Sequence, residues 1–183
     1  MRTFKSIGVF CGSAAGQSPE HARVAKELGA ELARREIRLV YGGGHIGLMG
    51  IVADAALAGG GQVIGVMPEQ LVRREIAHRG LTELRVVKSM HERKQTMADL
   101  SDAFIMLSGG FGSWDEFCEV VTWAQLGIHT NPCGILNVGG YYDPLVAMMD
   151  RAVHEGFVRP RNREMLAVES DVNALLARLA ATN

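Results

Sequence analysis

Along the chain, short apolar runs that end at glycine alternate with longer stretches whose apolar residues return every three or four positions, a strand pattern followed by a helical one. Residues 6–11 form the first run and stop at Gly12-Ser13. Ser18-Pro19 then supplies an N-cap and a first-turn proline for a helix to about Arg35, with Ala22, Ala25, Leu28 and Leu32 as its buried stripe. Residues 37–41 give a second strand that stops at Gly42-Gly43-Gly44, a helix over about 48–58 closes in three glycines suited to a left-handed cap, and 62–67 make a third strand. The stretch 69–80 is polar and arginine-rich and reads as a surface excursion with room for some helix, before a fourth strand at 84–87. A helix over about 89–100, a strand at 103–107, a turn at 108–112, a long helix from Ser113 to about Leu126 and a buried strand at 133–138 follow. Asp143-Pro144 opens a helix to about Glu155, 166–168 reads as an edge strand, and Ser170 caps a last helix to about Leu179.

Strands that are apolar throughout are buried on both faces, and strands separated by helices of this length pair in parallel. The expected fold class is α/β: a Rossmann-like three-layer sandwich with a mostly parallel, doubly wound sheet. With 183 residues and 48% hydrophobic content the chain suffices for one core, and no repeat or linker divides it, so 1–183 is expected to be a single domain. Nineteen basic against twenty acidic side chains leave a formal net charge of −1, so no overall field draws the protein to nucleic acid or to a membrane. Neither partner is expected, and any anion must be held locally. Cys11, Cys118 and Cys133 are odd in number and widely spaced, which suits a reducing compartment. The first residues lack the apolar core of a secretory signal, and no apolar run reaches membrane-spanning length, so the cytoplasm is the expected location.

In a doubly wound sheet the strand-to-helix turns share the carboxyl edge, where ligands bind at a topological switch point. Three of these turns are glycine-rich: Gly12-Ser13, Gly42-Gly43-Gly44 and Gly109-Gly110-Phe111-Gly112-Ser113. Glycine lets backbone N–H groups approach a bulky anion, and the following helix offers its free N–H groups and positive dipole end. Ordinary tight turns would look the same singly, but three on one edge point to a nucleotide or sugar phosphate. None is followed by the lysine of a P-loop, which counts against triphosphates.

Two helices carry charge in unexpected places. Met90, Arg93 and Met97 share one helical face, so Arg93 projects to the inward side and needs an anionic partner, unless it snorkels or makes a structural ion pair. Ser113-Trp114-Asp115-Glu116 reads as a capping box, with Glu116 folded back on the helix start. A phosphate seated there would instead occupy Ser113 and leave Glu116 free to face a sugar. The helix from Trp114 to Leu126 is apolar nearly all round, so one side fits the sheet and the other fits a second copy across a two-fold axis, a homodimer with the site near its interface. The six histidines show no metal-ligand spacing, so no metal is expected, and no G-x-S-x-G nucleophile turn is present.

The segment Gly109 to Glu116 resembles the PGGxGTxxE signature of LOG proteins, phosphoribohydrolases that activate cytokinin nucleotides and were long labelled lysine decarboxylases. Met90-His91-Glu92-Arg93-Lys94 is similar to the family's second signature, and Thr122-Trp123-Ala124-Gln125-Leu126-Gly127-Ile128-His129 to the segment after the first. Cys11-Gly12-Ser13, Tyr41-Gly42-Gly43-Gly44 and residues 137–142 fall in family order, so the likeness covers almost the whole chain. It implies a hydrolase that splits the N-glycosidic bond of AMP or an N6-modified, cytokinin-like nucleoside 5′-monophosphate, with no cofactor. It carries over Arg93 and Glu116 as the catalytic pair, Gly110, Gly112 and Ser113 on the phosphate, and Ser13, Gly44, Met90 and Lys94 around the nucleotide. The chain departs from the signature at Ser108, where the family usually has proline, and at Ser113, which replaces threonine but keeps the hydroxyl. Asn131 stands where many relatives carry lysine. A pyridoxal-phosphate decarboxylase would need a Schiff-base lysine, and of Lys5, Lys26, Lys88 and Lys94 only the last lies near the motifs. The alternative from another class is a carrier or sensor of the same fold that holds a nucleotide without cleaving it.

Overall fold

Ile7 and Val9 of the first strand project into one hydrophobic core and Phe10 into another, and the same division runs through Leu39 against Val40 and Ile105 against Phe104. This is why the strands read as unbroken apolar runs: each must satisfy two faces. The structure, a computed structural model, describes residues 2–72 and 77–182. Strands β1 (Ser6–Phe10), β2 (Arg38–Tyr41), β3 (Val63–Pro68), β4 (Glu83–Val87), β5 (Ala103–Met106), β6 (Cys133–Leu136) and β7 (Leu166–Glu169) form one sheet in the order β4-β3-β2-β1-β5-β6-β7. All neighbouring pairs are parallel. The architecture is the expected α/β Rossmann-like sandwich.

Helices α1 (Pro19–Arg34), α2 (Gly47–Ala58) and α8 (Val172–Ala181) cover one face, with Leu28, Leu32, Val52 and Leu175 completely or almost completely buried in its core. On the other face, α4 (Met90–Asp99) contributes Met97, α5 (Phe111–Gln125) contributes Phe117 and Val120, and α6 (Asp143–His154) lays Leu145, Val146 and Met149 against the sheet. The short helices α3 (Glu69–Val72) and α7 (Pro160–Glu164) complete the set among the described residues. From β1 the chain winds outward through β2, β3 and β4, then returns to β5 on the other side of β1 and winds away through β6 and β7. The reversal lies between β1 and β5, so the loops that leave these two strands part in opposite directions and open a crevice at their carboxyl ends.

Most strand boundaries fall within one residue of the sequence reading, and three larger or mechanistic differences stand out. Helix α5 begins at Phe111, with Gly110 as an extended N-cap that offers no side chain, two residues before the expected Ser113. The last helix is capped by Asp171, whose carboxylate accepts from the Ala174 N–H at 2.8 Å, and not by Ser170. Strand β6 stops at Leu136 because Asn137 turns the chain, accepting from the Tyr142 N–H and donating to Asp143. Of the expected excursion over 69–80, α3 is helical, Ala77 bridges to Gly44, and 73–76 lie outside the described residues. Helix α7 was not expected, since it is a single turn started by Pro160.

Leu32 lies fully buried near the end of α1, away from the carboxyl edge. Leu32→Ala is expected to cost about 3 kcal/mol of stability in denaturant unfolding, with kcat unchanged.

Candidate active site

Where β1 and β5 part, the Gly12 N–H donates to the Ser108 carbonyl at 3.0 Å, and the Met49 N–H at the start of α2 donates to the Gly12 carbonyl at 3.3 Å. These bonds draw three loops together around a cleft of about 250 Å³, lined by residues 11–13, Met49, Arg93, 110–113 and Glu116. One wall is the start of α5. Because Gly110 gives no side-chain cap and the first intrahelical bond is the Trp114 N–H to the Gly110 carbonyl, the N–H groups of Phe111, Gly112 and Ser113 have no acceptor within the helix. They are aligned with the positive end of the helix dipole. Gly109 lets the buried Ser113 hydroxyl fold in beneath the loop, since a Cβ there would fall 2.2 Å from the Ser113 Oγ.

The opposite wall is Arg93. Ser89 caps α4 by accepting from the Glu92 N–H, and the Glu92 carboxylate accepts from the Lys88 N–H, which fixes the helix start and aims the face of Arg93 at the sheet's end. The guanidinium is held by Nε donating to the Val66 carbonyl at 3.0 Å and by its Nη2 donating to the Gly42 carbonyl at 3.2 Å. Gly42 is required for this approach, because a Cβ at that position would lie 1.9 Å from the nitrogen. The remaining Nη1 stands 3.0 Å from Glu116 Oε1, and the two residues are only 9% and 8% exposed.

The capping-box reading of Ser113 and Glu116 does not hold. With the helix starting at Phe111, Ser113 lies inside the first turn and Glu116 a turn further on, where its carboxylate meets Arg93 and not the helix start. Burial raises the proton affinity of Glu116 above the usual carboxylate range, with Asp115 and Glu119 adding to the rise while Arg93 and Lys94 oppose it. Cys11, buried beside the pair, is pushed well above the ordinary thiol range by desolvation and by Glu116, with Arg93 opposing, and so remains a neutral thiol.

Of the residues expected at the site, Arg93, Glu116, Ser13, Gly110, Gly112 and Ser113 line this cleft together. Met90, Gly44 and Lys94 are not among its lining residues. Met90 touches Arg93 through its sulfur at 3.9 Å, and the Gly44 carbonyl accepts from the Tyr41 hydroxyl. Lys94 lies 3.1 Å from Asp115 and 3.0 Å from Glu119. Burial alone would lower the proton affinity of Lys94, but these carboxylates outweigh it and hold the amine above its usual range. An amine held as a cation does not fit a Schiff-base lysine. Cys11, Met49 and Phe111 also line the cleft and were not singled out from sequence. Phe111 follows directly from the two-residue shift in the helix start, while Met49 carries no local signal. Among the described residues, no group of three or more His, Cys, Asp or Glu side chains is placed to hold a metal ion.

A family model described as a possible lysine decarboxylase matches residues 49–179. The chain is 50% identical over 176 residues to the Arabidopsis thaliana cytokinin riboside 5′-monophosphate phosphoribohydrolase LOG1, covering 96% of this chain and 83% of that protein. It is 48% identical over the same length to the cytokinin riboside 5′-monophosphate phosphoribohydrolase of Rhodococcoides fascians, covering 89% of that protein. In three dimensions it resembles the molybdenum cofactor binding protein of Rippkaea orientalis, with a TM-score of 0.73 over 98% of this chain and 96% of that one; at 20% identity the likeness is one of fold.

Arg93→Met leaves a buried carboxylate without its partner and is expected to cost about 3 kcal/mol in denaturant unfolding at neutral pH. The raised proton affinity of Glu116 sets a pH signature. Between the ordinary carboxylate range and its raised value the folded form keeps a proton that the unfolded chain has lost, so stability falls as pH rises through that window and then levels. Thermal unfolding of the wild type measured against Glu116→Gln is expected to show this decline.

Proposed function

This chain belongs to the LOG family of phosphoribohydrolases, and we propose that it hydrolyses the N-glycosidic bond of AMP or of N6-modified, cytokinin-like nucleoside 5′-monophosphates to free base and ribose 5-phosphate. The observation that carries this reading is the cleft itself. A helix start with three free N–H groups and, a turn further along the same helix, a carboxylate that an arginine of α4 holds line one cleft. The N–H groups of Phe111, Gly112 and Ser113, with the Ser113 hydroxyl, bind the phosphate. Ser13, Gly44, Met90 and Lys94 surround the rest of the nucleotide.

As the C1′–N9 bond breaks, its electron pair leaves with the base and positive charge develops on the ribose. The Glu116 carboxylate stabilises that charge, and its raised proton affinity suits it to take the proton that the attacking water loses on bonding to C1′, while the departing base takes up a proton from solvent to leave as the neutral base. Arg93, fixed by two backbone carbonyls, keeps the carboxylate in place through the reaction. No step draws on pyridoxal phosphate, whose Schiff-base lysine Lys94 does not fit. The carrier alternative has less support, since the molybdenum cofactor proteins share the fold at low identity whereas the relatives near 50% identity are named as hydrolases.

We read 1–183 as one nucleotide-binding domain of a cytoplasmic homodimer. The three cysteines are free, two of them buried, and no helix among the described residues is long and apolar enough to cross a membrane. Beyond its packed side, α5 and the turn after it present Phe111, Leu126 and Ile128, at 85%, 65% and 65% exposure, and this apolar face suits a second copy.

Wild-type protein incubated with AMP or N6-isopentenyl-AMP is expected to release the base. Glu116→Gln is expected to lower kcat by about 100-fold or more, with the nucleotide still bound; saturable binding by the wild type without base release would favour the carrier. Leu126→Asp combined with Ile128→Asp is expected to halve the particle mass seen by light scattering.

A further inference from the structure

The loop that presents the phosphate-binding amides has little of its own to hold it still. Leu107, Ser108, Gly109 and Gly110 connect β5 to α5, and the two glycines place few limits on backbone rotation. Whatever fixes the direction of the amides that follow must come from neighbouring elements, and the structure shows where the restraint is applied. The Ser108 Oγ, buried, lies 2.9 Å from Nδ1 of His21 on α1. The Tyr141 hydroxyl donates to the Gly109 carbonyl at 2.8 Å, and the Tyr142 hydroxyl donates to the Leu107 carbonyl at 2.8 Å. The His21 ring meets the Tyr141 ring edge-on with centroids 5.6 Å apart, so the two groups that grip Ser108 and Gly109 also brace each other.

Ser108, the residue ahead of the two glycines, places no restraint of its own on the backbone. It is tied from outside by a histidine 87 positions earlier in the chain. We infer that His21 and Ser108 form a clasp, braced by Tyr141, that positions the loop's amides for the phosphate, and so act as positioning residues for the phosphoribosyl end of the substrate. The inference rests on the phosphate-binding role proposed above for the start of α5. The contacts of the clasp fall on Ser108 and Gly109 and not on the Arg93–Glu116 pair, so its effect is on the loop's amides and the group they hold. Phosphate contacts made equally in ground and transition states alter KM and leave kcat in place.

The test uses His21→Ala, Ser108→Ala, their double variant and the conservative Ser108→Thr, with ribose 5-phosphate and adenosine as calorimetric probes and AMP as substrate. His21→Ala and Ser108→Ala are each expected to weaken ribose 5-phosphate binding and raise KM about fivefold, the worth of one hydrogen bond, with adenosine affinity and kcat unchanged. The double variant is expected to match the single ones, and Ser108→Thr to bind as the wild type does. Equal weakening of both probes, losses that multiply in the double variant, or no loss at all would overturn the clasp. Ribose 5-phosphate binding without base release from AMP would overturn hydrolysis alone, with the clasp still judged by calorimetry; absence of ribose 5-phosphate binding to the wild type would overturn both.

Discussion

A guanidinium and a carboxylate, each about nine-tenths buried, meet at the carboxyl edge of the sheet and line the cleft that opens where the winding reverses. Taking two charges out of water costs several kcal/mol per ion, and their mutual attraction offsets this only when the remaining hydrogen-bonding groups are also satisfied. Here the offset comes from the ends of two strands: the Val66 carbonyl of β3 and the Gly42 carbonyl just beyond β2 accept from the same guanidinium that meets Glu116. Much of the architecture follows from that demand. Helix α4 must start beside the carbonyls of Val66 and Gly42, α5 must present its second turn to Arg93, and Gly42 must lack a Cβ.

The pair also divides the site's labour. Arg93 is immobilised by backbone atoms and cannot leave without stranding two carbonyls and a carboxylate. Glu116 is held at one oxygen and faces the cleft, with burial and nearby carboxylates raising its proton affinity against the pull of Arg93 and Lys94. A turn earlier on the same helix, the uncapped start of α5 supplies positive polarity without a charged side chain. Anion binding is thereby left to main-chain N–H groups, which agrees with a protein whose formal net charge is −1 and which has no broad cationic field to offer.

Much of this was legible in the residues because the signals were local and physical. Apolar runs without alternation announced a parallel sheet, Ser18-Pro19 announced α1, and the spacing of Met90, Arg93 and Met97 announced an inward arginine. What remained hidden was set by tertiary contacts. The Ser-x-x-Glu pattern at 113–116 satisfies the local rule for a capping box, yet the helix begins two residues earlier, and Glu116 finds Arg93 from another helix. Nothing near Gly42 in the chain foretells that a guanidinium from α4 will lie against it, and nothing near Ser108 foretells His21. Nor does the motif foretell that Lys94, beside Arg93, pairs with two carboxylates of α5.

The most direct measurement of the central claim is a crystal structure of the Glu116→Gln variant with AMP bound. The account predicts the phosphate on the N–H groups of Phe111, Gly112 and Ser113, the ribose C1′ within about 3.5 Å of the substituted side chain at position 116, and Arg93 still on the carbonyls of Val66 and Gly42. A nucleotide whose phosphate lies away from the start of α5, or whose C1′ is turned from position 116, would contradict it.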